Sequence, residues 1–358
     1  EGMGFHFPEH SNHADVITDI ITGNGREYNA KGDVSKEALI SNWSASRKAK
    51  TAEDFERRSV RSTMLGDTGM RQALKKRGAP FVKQAWLCLC RAMVQQYRTK
   101  GAFFAEMGLA VLAGALLGLA NNPKNGIMFV GIFHEPYEVL STAIDFISAP
   151  QFALLIAIAV GLVAAAPGVK LFSEETLLYR REAEAGHSRF AYFIAKVISV
   201  LPRMALGCLH FTTPLFLLSV PIIDWGLAFL TNLLYFYCIY GLASIVSMVV
   251  RREDAPLFAT MIALITGILS GSAPPLSSVK DWRMEWLWRA SPATWLAEIY
   301  FGQLVAPFAY LYKVDIAARE TGFELDRKWM NIGVLVAIGT AYRVLAFVGM
   351  VLGHRLRR

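Results

Sequence analysis

The chain has 358 residues, of which 54% are hydrophobic and 18% are charged, and its formal net charge is +8. Soluble globular domains average about 45–50% apolar and about 25% charged residues, so this composition excludes an ordinary soluble protein. The basic residues flank apolar runs, as they do in the cytosolic loops of membrane proteins, which argues against a nucleic-acid partner.

The N-terminal part of the chain has soluble character, and 51–80 is polar and basic, which predicts a cytosolic linker. Segment 81–100 then predicts an amphipathic helix in the membrane interface. Its apolar face comprises Phe81, Trp86, Leu87, Cys90, Met93 and Val94. Basic side chains, among them Arg91 and Arg98, lie largely elsewhere on this helix. The alternative interpretation is a helix packed on a soluble core.

Long apolar runs dominate the rest of the chain, and a bilayer crossing needs about 20 such residues. The predicted spanning helices cover residues 102–121, 149–169, 190–219, 225–250, 255–275 and 330–353. The run at 190–219 is longer than a crossing requires, so we expect it to project into the cytosol. The sequence therefore predicts an all-α polytopic membrane domain over 81–358.

The charges of the loops predict the orientation. Arg251 and Arg252 follow the fourth predicted span, and further arginines follow the sixth, whereas the loop after the first span is mainly acidic. By the positive-inside rule, both termini are predicted to be cytosolic. The connection 276–329 is then outside. Its four tryptophans surround a short apolar piece, which predicts a re-entrant or surface-lying outer helix.

A charged band, "KLFSEETLLYRREAEAGHSRFAYFIAK", separates the second and third predicted spans. We expect a short cytosolic helix here, with Glu175 and Glu182 seven positions apart and therefore on one face. These carboxylates are expected to dock on the interfacial helix through Arg91 and Arg98. The alternative is a solvated loop whose basic residues only set the topology.

Three charged residues fall inside predicted spans, namely Glu106, Arg203 and Arg343. A charge at the bilayer centre costs roughly 2.5–3.5 kcal/mol on insertion scales. Snorkelling accounts for Glu106, and the cytosolic extension of the third helix accounts for Arg203. For Arg343 we expect a structural ion pair or a helix-end cap rather than a direct substrate contact.

Three segments carry motifs in a fixed order along the chain. They are the start, "GFHFPEHSNHADVITDIITGN", the loop after the second span with Phe172, Glu175, Arg181, Glu182 and Gly186, and "LSGSAPPL" followed by "SPATWLAEIYF". In this order they resemble the membrane half of the G-subfamily (white/pleiotropic-drug-resistance type) of ATP-binding cassette transporters. In that family, the first segment closes the nucleotide-binding domain, and the last forms a turn and a re-entry helix.

The resemblance implies an ABC-2 type exporter fold, in which 1–50 is the tail of a nucleotide-binding domain. It further implies a homo- or heterodimer of half-transporters that exports a hydrophobic, lipid-like or amphipathic substrate. Loop 170–190 would couple ATP-driven closure to the membrane helices. A rival hypothesis is a non-transporting scaffold or partner-binding subunit.

The sequence contains no glycine-rich phosphate-binding loop ending in Gly-Lys-Ser/Thr. We therefore expect this chain not to hydrolyse ATP alone and to be the C-terminal portion of a longer half-transporter. The alternative is a two-subunit arrangement with the ATPase on another chain. ATP and Mg²⁺ are expected in an upstream nucleotide-binding domain of the same gene product, and no cofactor is expected in this chain. The sequence shows no catalytic triad and no convincing metal-ligand spacing, so neither a catalytic nor a metal site is predicted.

The resemblance also places the second and fifth helices along a substrate path. The residues concerned are Val163 and Ala164 on the second helix and Ser272 and Ala273 after the fifth. All four are small or medium-sized. The alternative is that small side chains simply let the helices approach closely.

Overall fold

The computed structural model describes residues 79–173, 175–184 and 186–356, together with positions 16, 37 and 41. The chain divides into two units, Glu1–Gly78 and Ala79–Arg358. Apart from the three isolated positions, the described residues belong to the second unit. The predicted tail at 1–50 and nearly all of the linker at 51–80 lie outside the described residues, so both stay predictions.

The second unit is all-α, and it has no strand among the described residues. Its helices are α1 (Phe81–Arg98), α2 (Lys100–Asn121), α3 (Ser148–Ser173), α4 (Thr176–Glu184), α5 (Arg189–Ser219), α6 (Trp225–Val249), α7 (Ala255–Ile268), α8 (Leu276–Asp281), α9 (Glu285–Arg289), α10 (Pro292–Val305), α11 (Val314–Thr321) and α12 (Lys328–Leu356). Among these, α2, α3, α5, α6 and α12 are long and apolar enough to cross a membrane. Their bounds agree with five of the predicted spans to within a few residues.

The fifth predicted span, 255–275, is too long. Its helix α7 has 14 residues and therefore rises about 21 Å, which is less than the hydrocarbon thickness of about 30 Å. The chain turns after α7 through Gly271, and Pro274 and Pro275 follow. Proline lacks the backbone N–H that a continuing helix needs. The apolar run therefore extends further than the helix.

Helix α10 corresponds to the outer helix that the sequence predicts as re-entrant or surface-lying. It is almost entirely buried, and it packs against α3, α6 and α12, so it does not lie on the surface. The tryptophan belt is only partly exposed. Trp282 and Trp286 are exposed, whereas Trp288 is buried and Trp295 donates its Nε1–H to the carbonyl of Arg289 at 2.8 Å.

Helix α3 forms the centre of the bundle and packs against α6, α7 and α10. Helix α2 packs on α5, and α12 packs on α6. Both α2 and α12 leave apolar side chains such as Leu116 and Val344 exposed. These faces suit contact with lipid chains, in which association depends on close packing rather than on a hydrophobic driving force between helices.

Helix α1 confirms the predicted amphipathic helix. One side packs on α5 and buries Cys88 and Ala92. The other side exposes Trp86, Leu87 and Val94. Exposed apolar side chains along one side of a helix are typical of segments that lie in the membrane interface.

Candidate functional site

The charged band folds into the short helix α4, which the sequence predicts, and α4 ends in a tight reversal. Gly186 has a φ of +94°, the left-handed conformation that glycine adopts without strain. Its N–H donates to the carbonyl of Ala183 at 3.3 Å, and the N–H of His187 donates to the carbonyl of Glu182 at 3.0 Å. This pair of bonds is a Schellman motif. It brings His187 back towards α1.

One stripe of α1 receives this segment. Gln84, Cys88 and Arg91 follow each other at intervals of four and three residues and therefore share a helical face. At one end, Gln84 accepts a hydrogen bond from the N–H of Ser188 at 2.9 Å. We call the contact between α1 and residues 175–188 the joint.

The ion pair between Arg91 and Glu182 is the main charged contact of the joint. The Nη1 and Nη2 atoms of Arg91 each donate to one oxygen of the carboxylate, and the Nη2 to Oε2 distance is 3.1 Å. The side chains are 32% and 26% exposed, so water screens the pair in part. Glu182 raises the pKa of Arg91 through this hydrogen bond. The predicted docking of the charged band on α1 is thus present at Arg91.

Glu175 forms the buried part of the joint. Its Oε2 lies 2.8 Å from the Nζ of Lys196, and the hydroxyl of Tyr192 donates to the same oxygen at 3.3 Å. Burial raises the pKa of the Glu175 carboxyl, but Lys196, and to a smaller extent Arg91, lower it further, so the pKa lies below its usual range. Helix α1 therefore contacts the chain on both sides of α4. It meets Glu175 in the link from α3 and Ser188 in the link to α5.

A further contact of the joint joins Cys88 and His187. The Sγ and Nε2 atoms lie 3.2 Å apart, within hydrogen-bonding distance for a thiol. With a carboxylate oxygen of Glu182, these atoms form a cluster whose members all lie within 4.8 Å of one another. Burial raises the pKa of the Cys88 thiol. Sequence reasoning missed this cluster because Cys88 and His187 are 99 positions apart.

The intramembrane charges Glu106 and Arg203 form an ion pair with each other. The Nη2 of Arg203 lies 2.6 Å from Oε2 of Glu106, and its Nε donates to the same oxygen at 2.8 Å. Each side chain is 14% exposed. The explanations by snorkelling and by helix extension are therefore incomplete, because they treated each charge alone. The pair joins α2 to α5.

A cavity of about 250 Å³ lies between α1, α2, α3 and α5. Glu106 and Arg203 line one part of it, and Glu175 and Lys196 line another. Arg98 also borders the cavity. It is exposed and forms no ion pair with any described residue, so the docking expected at Arg98 is not observed.

Arg343 is held by carbonyl groups. Its Nη1 donates to the carbonyl of Tyr237 at 2.7 Å and to that of Gly339 at 3.0 Å. The guanidinium also lies 3.4 Å from the centre of the Tyr237 ring. No carboxylate pairs with it among the described residues. The contacts fit neither expectation, since no ion pair forms among the described residues and both carbonyls lie within their helices rather than at helix ends. Arg343 instead links the middle of α12 to the middle of α6.

The residues expected along a substrate path do not share one open surface. Val163 and Ala164 are buried inside the bundle. The hydroxyl of Ser272 donates to the carbonyl of Pro150 at 2.7 Å, and only Ala273 is exposed. In this conformation, Val163 and Ala164 serve the close packing of α3.

Arg181 lies on α4 and is exposed, without an ion pair among the described residues. Of the predicted loop residues, Glu175 and Glu182 contact α1 or α5, Gly186 shapes the turn, and Arg181 faces outwards.

Comparison with known proteins gives a family match and a curated relative. The family model described as "ABC-2 type transporter" matches residues 83–304. The relative is the ABC-type transporter claG of Penicillium crustosum, which is 34% identical over 327 residues. The alignment covers 91% of this chain and 41% of the relative. The chain thus spans about two-fifths of the length of the protein that it matches.

Proposed function

Because this chain belongs to the ABC-2 type transporter family, we propose that it is the membrane domain of an ATP-driven exporter whose joint transmits movement to the spanning helices. The family and the apolar helices make it an integral, multi-pass membrane protein with a role in transport. The ATP coupling, the substrate class and the partners below belong to the proposal.

The joint is the observation that carries the coupling hypothesis. Helix α4 lies between the end of α3 and the start of α5, and only a few residues separate it from each. Glu182 on α4 forms an ion pair with Arg91 of α1. Glu175, the residue before the first residue of α4, forms an ion pair with Lys196 of α5. A displacement of α4 would therefore be felt by three helices together.

The two ion pairs of the joint differ in how easily they open. Pairs as exposed as Arg91 and Glu182 contribute about 0–1 kcal/mol. The pair of Glu175 with Lys196 is only 9% and 10% exposed, so separating it is more costly. This combination suits a lever with a firm attachment to α5 and a releasable contact to α1.

The proposed orientation places the joint and both termini in the cytosol, in accordance with the positive-inside rule. There it would meet a nucleotide-binding domain that binds ATP and Mg²⁺, upstream in the same gene product. The greater length of the relative is compatible with such a domain. Arg181, exposed on α4, is the residue that we expect to contact it.

We assign a lipid-like or amphipathic substrate and a second half-transporter as partner from the resemblance to the G-subfamily. Helix α7 supports a shared surface, because it exposes apolar side chains on one face. These are Leu257, Phe258, Met261, Leu264, Ile265 and Ile268. The neighbouring α3 adds exposed Leu162, and Ala273 borders the end of this face. These residues replace Val163 and Ala164 as the side chains available to a substrate or a second copy.

A charge swap between Arg91 and Glu182 tests the coupling. In the full-length transporter, Arg91→Glu and Glu182→Arg should each abolish substrate-stimulated ATPase activity and export while leaving dimers and basal ATPase activity largely intact. The double variant restores opposite charges and should recover export. The readouts are ATPase activity and export of fluorescent lipids from proteoliposomes.

The exposed pair of Lys124 and Asp145, with 3.2 Å between Nζ and Oδ2, provides the matched control. Lys124→Gln removes a similar ion pair outside the joint and should leave coupling unchanged. Normal export by both single charge-swap variants would refute the coupling role. Failure of the wild-type protein to move any substrate while folded and dimeric would favour the scaffold alternative.

A further inference from the structure

The geometry points to a metal site in the joint, in which Cys88, His187 and Glu182 bind a divalent cation of the zinc type. The site is distinct from the coupling contact in its chemistry, and it does not depend on transport or on ATP.

The donor set matches this class of ion. A thiolate, an imidazole nitrogen and a carboxylate oxygen are the three ligand types that Zn²⁺ takes from proteins. The ligand atoms of Cys88, His187 and Glu182 all lie within 4.8 Å of one another. Hard cations such as Mg²⁺ prefer sites made of oxygen alone, so the sulfur and nitrogen select a softer metal.

The distance between sulfur and nitrogen is also suitable. Zinc lies about 2.3 Å from sulfur and about 2.0–2.1 Å from nitrogen, so a tetrahedral ion holds the two ligand atoms roughly 3.5 Å apart. Sγ of Cys88 and Nε2 of His187 lie 3.2 Å apart. A shift of a few tenths of an ångström in either side chain therefore brings these two ligand atoms to the spacing that zinc requires. The carboxylate oxygen of Glu182, within 4.8 Å of both, would approach them to complete the site.

Each ligand is held by a different structural device. Cys88 is buried on α1 where this helix packs on α5. His187 is positioned by the Schellman motif at Gly186. Glu182 is held by Arg91. Because the ligands are already positioned, binding requires little ordering of the chain.

The ion pair with Arg91 is compatible with metal binding. Each carboxylate oxygen offers two lone pairs, so Glu182 can bind a metal and still accept from the guanidinium. Arg91 would then act as an outer partner that orients the ligand, as is common around protein-bound zinc. Three protein ligands leave the fourth position for water.

Binding would replace the thiol hydrogen of Cys88 by the metal and release a proton to solvent. No electron transfer is involved. The ion would join α1 to both sides of the reversal at Gly186 and hold the joint closed.

Cobalt(II) is the probe for this site, since it reports thiolate ligation through a charge-transfer absorption. Titration of the purified, metal-stripped full-length protein should give this absorption with a stoichiometry of one ion per chain. Cys88→Ser should remove it, and His187→Gln and Glu182→Gln should weaken binding at least tenfold. Histidines elsewhere in the chain can bind cobalt, but they give no thiolate band.

Cys90→Ser is the matched control, because Cys90 lies on the same helix two residues away and outside the cluster. It should retain the full absorption. A second measurement covers the case in which Cys88→Ser folds poorly: Zn²⁺ should raise the Tm of the wild-type protein and of Cys90→Ser, but not that of His187→Gln.

The proposal is overturned if saturating cobalt gives no thiolate band in the wild-type protein. It is also overturned if the band survives in folded Cys88→Ser, or if His187→Gln binds cobalt and gains stability from Zn²⁺ as the wild type does. None of these readouts measures transport, so their outcome is separate from that of the charge-swap experiment.

Discussion

Two buried carboxylates at opposite ends of α3 show how differently the two ends of the bundle are built. Glu298 lies on α10, whose Tyr300 contacts Phe152 near the start of α3. Glu175 follows the end of α3. The helix between them has 26 residues and is therefore about 39 Å long.

The hydrogen bonding of Glu298 is complete. Its Oε2 accepts from Arg289 at 2.6 Å, and its Oε1 accepts from the N–H of Glu324 at 2.9 Å. Glu175 uses only one oxygen in this way, while its Oε1 has no hydrogen-bond partner among the described residues and the carboxylate borders the cavity. Both oxygens of the Glu298 carboxylate are thus engaged, whereas the Glu175 carboxylate retains space and unused hydrogen-bonding capacity. These are properties of a part that changes its contacts.

Removal of Glu298 should have the largest effect. Glu298→Ala leaves the Arg289 guanidinium buried without its fully buried partner, which typically costs about 3–5 kcal/mol. We expect a large loss of folded protein, measured by thermal unfolding and by size-exclusion chromatography. Glu285→Ala removes the other partner of Arg289, a 40% exposed carboxylate at 3.2 Å, and should cost less than about 1 kcal/mol. Equal losses would contradict the comparison.

Two glycines with similar backbone conformations extend the contrast. Gly322 has a φ of +81°, and an added Cβ would lie 2.4 Å from the backbone N of Ser277. Gly186 has a φ of +94°, but nothing lies within 4 Å of the added atom. Gly186→Ala should cost about 1–2 kcal/mol from backbone strain alone, and Gly322→Ala clearly more. The comparison fails if Tm falls as far in Gly186→Ala as in Gly322→Ala.

Glu175→Gln should destabilise less than Glu298→Ala because the cavity gives Lys196 access to water. We expect a loss of about 1–3 kcal/mol, as for a buried group left without its partner. The pKa of Glu175 is lowered by folding. The wild type should therefore exceed Glu175→Gln in stability by the full amount above the ordinary glutamate pKa of about 4.3. The difference should shrink as the pH falls further. Thermal unfolding at several pH values measures this difference, and a pH-independent difference would exclude the ion pair as its cause.

Arg343→Met should have the smallest effect. Methionine fills similar space, and the substitution removes a charge that costs roughly 2.5–3.5 kcal/mol in the bilayer centre, which offsets the lost bonds to two carbonyls. We expect a Tm close to that of the wild type and normal dimers. Normally folded dimers that have lost only transport would instead assign Arg343 a role in substrate contact or gating.

The sequence predicts the helices well because their signal is local. Apolar runs and flanking charges suffice to place α2, α3, α5, α6 and α12, and period-3.6 patterning suffices for α1. The end of α7 was misplaced because hydrophobicity continues through the turn. The order Gly271, Pro274, Pro275 carried the missing signal.

The site was less predictable because its contacts are long-range. Glu182 was predicted to dock on α1, and the structure pairs it with Arg91. Neither the partner of Glu106 nor the approach of Cys88 to His187 follows from any local pattern. Opposite charges in two separate spans were the available hint for Glu106 and Arg203. For Cys88, only the three-dimensional path of the chain brings the ligands together.

Helix α1 has the joint on one side and exposed apolar side chains on the other, within one helix diameter. Its exposed apolar side chains lie on the side away from the stripe that forms the joint. Leaflet curvature and lateral pressure act directly on a helix in this position, and a detergent micelle does not reproduce them. We therefore expect the lipid composition around the protein to act on the joint through α1, whose 18 residues include the Arg91 that holds Glu182.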